Sequence, residues 1–247
     1  MLLHLLKPLL IRGLSIICIH DLGGHRERTW ETTKEFSTEQ SVLWPRDLLP
    51  RCIPHARVMT FGYDSEVPSV RYLMQRIMYS KSKIMLSHLK EARNTKEATH
   101  RPIIFLAHGL GGLIVKSALI HADREEQRFS GFKLSTAGVL LFGTPHQGTS
   151  NTPWRQLMSD IVRRHIDLDG TRDTLDADLG WLQYKPLCTS FQTFCFCEDD
   201  SGNLASDASQ VRSFMVLYMY MSLTVLGHRR PTCSCLSVVC SPQRTVA

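Results

Sequence analysis

The segment FLAHGLGGLIVK, residues 105–116, runs from an apolar stretch through small residues into a helix-like pattern. Strand, tight turn and helix in that order make the elbow that presents a nucleophilic serine in G-x-S-x-G. In this register the residues are Ala107, His108, Gly109, Leu110 and Gly111, so glycine stands at the serine position. A second Gly-rich turn, IHDLGGH, residues 19–25, also follows an apolar run. An acyl-transfer site needs two backbone N–H donors for its oxyanion. One comes from the residue after the nucleophile, the other from an earlier strand–helix loop. Leu110 and Leu22 hold those two positions. Glycine offers no side-chain oxygen to attack a carbonyl, and loss of a triad nucleophile costs roughly a million-fold in turnover.

Asp21 precedes Leu22. If its carboxylate faces the oxyanion hole, it repels the charge that must develop there. It can instead point to solvent or cap a helix N-terminus through backbone N–H groups. Gly109 also has a purely architectural reading, because glycine relieves the strain of an elbow turn. Other chemistry-bearing residues are weaker candidates. His146, in a loop after a strand, is a candidate base. Glu198 and Asp199, with Asp200, follow the last strand, where a triad acid belongs, but three acids there also read as a solvated patch. His20 and His108 read as structural, and Lys116 as a surface lysine. Ser117 and Ser150 are the nearby hydroxyls, and neither follows a strand–turn. Cys195 and Cys197 fall near the acid position, the wrong edge for attack.

The elements that position these residues follow from periodicity. Leu14–His20, Ala56–Phe61, Pro102–Leu106, Ala137–Phe142 and Phe191–Cys197 read as strands. Helical spacing appears in 42–52, around Leu43, Trp44, Leu48 and Leu49, and in 70–92, the longest candidate. It appears again in 112–122, with Leu113, Ile114, Ala118 and Leu119 inward, and around Trp154, Leu157, Ile161 and Val162. Strands alternate with helices, and the strand interiors are continuously apolar, as in parallel strands covered on both faces. The pattern predicts an α/β fold with a mostly parallel, doubly wound sheet. Residues 1–13 read as a lead-in, 14–200 as the domain, and 201–247 as a poorly patterned tail in which 229–247 has neither helix nor strand period.

The 247 residues are 43% hydrophobic and 21% charged, the composition of a globular chain. The net charge of +6 is spread without a dense basic run, which argues against nucleic-acid binding. Eight cysteines include two C-x-C pairs, a poor match to zinc spacing, so no metal and no cofactor is expected. Reduced thiols suit an intracellular, cytoplasmic protein. The apolar N-terminus is interrupted by His4, Lys7, Pro8 and Arg12, and the run 214–226 is short of the ~20 residues a transmembrane helix needs.

IHDLGGHRERTW, WPRDLLPRCIPHARVMTFGYDSEV, IIFLAHGLGGLIVKSALIHA and GVLLFGTPHQGT occur in that order along the chain. Together they resemble successive blocks of a fungal α/β-hydrolase group. That group is similar to the serine-active-site-containing proteins and to serine esterases related to glycosylphosphatidylinositol inositol deacylase. It often stands N-terminal to NACHT or ankyrin repeats. The resemblance spans about residues 14–198. It implies an α/β-hydrolase fold, an acyl-ester or lipid ligand, a protein partner in signalling, and a cytoplasmic location or one peripheral to the mitochondrial or endoplasmic-reticulum membrane. The chain departs from the family pattern at three places. Asp21 replaces a glycine of V-H-G-L-x-G-H. Ala107 and Gly109 replace the Gly and Ser of G-H-S-L-G-G. No Asp-His pair follows residue 200, where His228 is the only histidine. With no intact catalytic set, a catalytically inactive recognition or signalling module is expected. An active esterase or lipase with a nonstandard nucleophile stays open, as does a truncated product lacking the final strand and its covering helix. That loss would leave the sheet incomplete at the C-terminus, with an exposed edge.

Overall fold

The computed structural model describes residues 13–31, 41–65, 78–129, 131–145, 190–197 and 233–237. The chain enters through β1 (Leu14–Ile19), a 3-10 turn (Arg28–Trp30), α1 (Trp44–Asp47), α2 (Leu49–Cys52) and β2 (Ala56–Phe61). It continues through α3 (Ser82–Ala92), α4 (Lys96–Thr99), β3 (Ile103–His108) and α5 (Gly111–Arg124). The short helices α6 (Glu126–Phe129) and α7 (Phe132–Ser135) lead to β4 (Thr136–Phe142). The last two strands are β5 (Gln192–Cys197) and β6 (Cys233–Ser237).

The six strands form one parallel sheet in the order β2-β1-β3-β4-β5-β6. Successive strand side chains point to opposite faces, and the apolar runs fill both. Ile17, Ile19, Phe105, Ala107, Val139 and Leu141 pack with Met85, Leu86 and Leu89 of α3 and with Ile114, Val115 and Ala118 of α5. On the other face Ile16, Cys18, Ile104, Leu106, Leu140 and Phe142 pack with Trp30, Trp44, Leu49 and Ile53. The strand order, the helices on both faces and the tight turn joining β3 to α5 are those of an α/β-hydrolase. At ~25 cal/mol per Å², each fully buried Ile, Leu or Phe contributes about 1.5–3 kcal/mol.

Three expectations need correction. The single helix over 42–52 is two short helices divided at Leu48. Pro50 has no N–H to continue the hydrogen-bond ladder, so the helix cannot run through it. Trp30, alone in a polar stretch, is wholly buried, edge-on to Trp44 at 5.7 Å. Lys116 is 4% exposed rather than a surface lysine, because α5 is covered well beyond its sheet-facing stripe. Residues 229–247 do contain a strand, which pairs from Thr193 with Cys233 to Cys197 with Ser237. The β5 edge expected to be open is therefore paired. Its free N–H and C=O groups need partners whatever the side-chain pattern of the incoming segment. The part of 70–92 before Met78 and the helix around Trp154 lie outside the described residues.

Candidate functional site

The loops after β1 and β3 meet above the C-terminal ends of two adjacent strands, where open α/β sheets bind ligands. The first loop is a tight turn in which Gly24 N–H donates to the Asp21 carbonyl at 3.0 Å. Gly23, with φ of 65°, supplies the left-handed residue, and its N–H donates to Ser65 Oγ. The second loop turns at Gly109, with φ of 51°. In that region a side chain costs roughly 1–2 kcal/mol. The turn is tied to the end of β4 and to the loop that follows it. Gly109 N–H donates to the Phe142 carbonyl at 2.8 Å, and Thr144 Oγ1 donates to the Gly109 carbonyl at 2.9 Å.

Asp21 joins the two loops. Its Oδ1 accepts from Leu22 N–H at 2.7 Å and from Leu110 N–H at 2.6 Å. These are the two N–H groups that sequence reasoning assigned to an oxyanion hole, and they converge on one atom. The two alternatives for Asp21 therefore merge: the carboxylate binds a helix-terminal N–H and fills the convergence point at the same time. A Cβ built on Gly109 would fall inside the Asp21 carboxylate. The aspartate occupies the space that a side chain at the elbow would need. The other carboxylate oxygen, Oδ2, lies 4.0 Å from His108 Nδ1, which is buried without a hydrogen-bond partner.

His20 supports this loop from below. Tyr63 N–H donates to its Nε2 at 3.2 Å, which leaves Nδ1–H to donate to the Asp21 carbonyl at 2.8 Å. The Tyr63 ring stacks on the imidazole with centroids 4.2 Å apart, and its hydroxyl donates to the His20 carbonyl. Burial, and secondarily the charge of Asp21, pushes the Tyr63 phenol well above its ordinary value. His20 is thus a neutral structural residue, as its place at a strand end suggested. Burial is also the main cause holding its pKa below 6.5.

A pH dependence follows. The unfolded chain protonates His20 near its ordinary value of about 6.5, whereas the folded chain resists the proton. The contribution to stability is complete above that pH and is lost as pH falls through it towards the folded pKa. His121, buried and near Lys83, is shifted the same way. Denaturation midpoints are therefore expected to be flat from pH 8 to 7 and to drop below about 6.5. His20→Gln should flatten part of that drop, and an unchanged profile in the variant would remove His20 as its source.

Ser117 lies between helices, its Oγ 3.1 Å from Ser82 Oγ, and so lacks an elbow's exposure. Cys195 is buried in β5. Burial likewise raises the thiol pKa of Cys18 far above the usual range. His146, Glu198 and Asp199, with Asp200 and Ser150, lie outside the described residues.

No protein-family profile matches the chain. It is similar to Protein SERAC1 of Danio rerio, 26% identical over 150 residues that cover 55% of this chain and 22% of that protein. The chain thus spans about a fifth of the length of that curated relative. Among solved structures it is similar to phospholipase PlaB from Legionella pneumophila. That match has a TM-score of 0.49 and 13% identity, and covers 79% of this chain and 41% of that one. It is also similar to a carboxylesterase of Nitrososphaera gargenis, with a TM-score of 0.42 and 11% identity, covering 92% of this chain and 82% of that one.

Proposed function

We propose that this α/β-hydrolase domain recognises a ligand or partner without hydrolysing acyl esters. The observation that carries the reading is the Asp21 carboxylate, bound at once to Leu22 N–H and Leu110 N–H over the glycine elbow. Two costs act together. Absence of the nucleophile removes roughly a million-fold in turnover. A fixed negative charge beside a developing oxyanion adds about 4 kcal/mol at an effective dielectric of 20 and 4 Å. That is roughly another thousand-fold. Either cost alone suppresses catalysis, and the geometry couples them, since the carboxylate fills the elbow's side-chain space. The ligand on this reading is an acyl-ester or lipid group bound without turnover, or a protein partner in signalling. Among the described residues no helix is long and apolar enough to cross a membrane.

A fluorophosphonate probe tests the proposal directly. The wild-type chain should acquire no covalent adduct, and hydrolysis of short p-nitrophenyl esters should stay at the buffer rate. An adduct mapped by mass spectrometry to any serine of the chain, with matching turnover, would refute the reading.

A further inference from the structure

At the opposite end of the sheet, where β1, β2 and β3 begin, three arginines gather. Arg93 ends α3 and is 5% exposed. Its Nη1 donates to Ser15 Oγ at 3.2 Å, and its Nη2 donates to the carbonyls of Thr99 and Arg101 at 2.9 and 2.6 Å. It clamps α3, α4 and the starts of β1 and β3 together. All of its partners are neutral. Buried cations are ordinarily matched with a carboxylate, but among the described residues Arg93 is matched with dipoles alone. Burial and the neighbouring charges of Arg101 and Arg57 push its pKa down to about 10, with no acid among the causes.

The two neighbours have donors to spare. Among the described residues Arg57 spends only Nη1, on the Ala92 carbonyl at 2.7 Å. The Arg101 guanidinium lies against Gly13, where an added Cβ would stand 3.0 Å from Cζ, and its Nε is buried with no hydrogen-bond partner. Strand register puts all three on one face. Ser15 is opposite Arg57 on one side and Ile103 on the other, and Arg101 precedes Ile103 by one pleat repeat. Arg93 reaches the same face through Ser15. Among the described residues no Asp or Glu forms an ion pair with any of the three.

We infer that Arg57 and Arg101, with the charge of Arg93 behind them, form a binding site for a phosphate-type oxyanion. Guanidinium forks match tetrahedral oxyanions through paired N–H donors. More than one uncompensated cation selects a dianion over a carboxylate. The phosphate belongs either to a soluble ligand or to a lipid headgroup.

Inorganic phosphate serves as the probe, with thermal unfolding of the full chain compared against chloride at equal ionic strength. A ligand binding the folded state only, at roughly 100-fold over its Kd, should raise Tm by about 5–10 °C. Arg57→Gln/Arg101→Gln should abolish the rise, while Arg46→Gln, whose side chain is held by Asp47, should keep it. Arg93 and its clamp remain in the double variant, and a cooperative transition in chloride confirms that it is folded. Co-sedimentation with phosphatidic acid vesicles, but not phosphatidylcholine vesicles, that depends on the same two arginines supports the site and makes its anion a headgroup. Phosphate stabilisation without vesicle binding supports the site and makes the anion soluble. Absence of a phosphate-specific rise, or a rise that survives in the double variant, overturns the inference.

Discussion

Gly109→Ser is expected to lose about 3 kcal/mol of stability and to gain no esterase activity. The obvious reasoning runs the other way, since the substitution restores the residue that an acyl-transfer elbow requires. The new Cβ, however, would fall within the Asp21 carboxylate. The aspartate must leave, which breaks two charge-assisted hydrogen bonds, to Leu22 N–H and Leu110 N–H, each worth roughly 1.5–3 kcal/mol before the carboxylate is rehydrated. The left-handed φ of 51° adds a smaller cost for any side chain. Asp21→Gly/Gly109→Ser removes the obstacle and should recover most of the lost stability, so the two sites should couple by about 2 kcal/mol in a denaturant double-mutant cycle. The double variant also frees both N–H groups, and it is the form in which acyl-ester turnover should be sought. Additive effects of the two substitutions would mean that Asp21 does not fill the elbow's space, and the proposed function would lose its main support.

This coupling shows where sequence reading stops. Both loops were legible, because apolar runs followed by small residues mark strand ends, and such ends carry the ligands in an α/β sheet. Leu22 and Leu110 were named from the donor pattern of an acyl-transfer elbow, and their N–H groups meet on Asp21 Oδ1. The direction of the Asp21 side chain was not. It depends on the β1–β3 register and on the left-handed turn at Gly109, and neither is a local property of IHDLGGH. Trp30 was hidden by its polar neighbours, although it meets Trp44 in the core. The strand at Cys233–Ser237 has no apolar alternation to announce it, and its pairing with β5 is a main-chain event. Arg93 and Arg101 are eight residues apart, but Arg57 joins them only because β2 begins beside β1, with Arg57 opposite Ser15.

Gly111→Ala should cost about 3 kcal/mol, although helix propensity alone predicts a gain of about 1. Gly111 is the first residue of α5, where it passes over the end of β1. A methyl group there would collide with the carbonyl oxygen of His20 and stand 2.8 Å from that of Ile19. Both obstacles are main-chain atoms fixed by the sheet, so no rotamer change makes room. The helix must therefore lift from the strand, and it carries Leu110 N–H with it. That donor lies 2.6 Å from Asp21 Oδ1, and a shift of about 1 Å would take it beyond hydrogen-bond range. Gly111→Ala and Asp21→Asn should then be markedly less than additive in urea unfolding, since the first has already weakened the bond that the second disturbs. A stabilised Gly111→Ala variant would show that α5 does not approach β1 this closely, and the convergence of the two N–H groups on Asp21 would have to be abandoned with it.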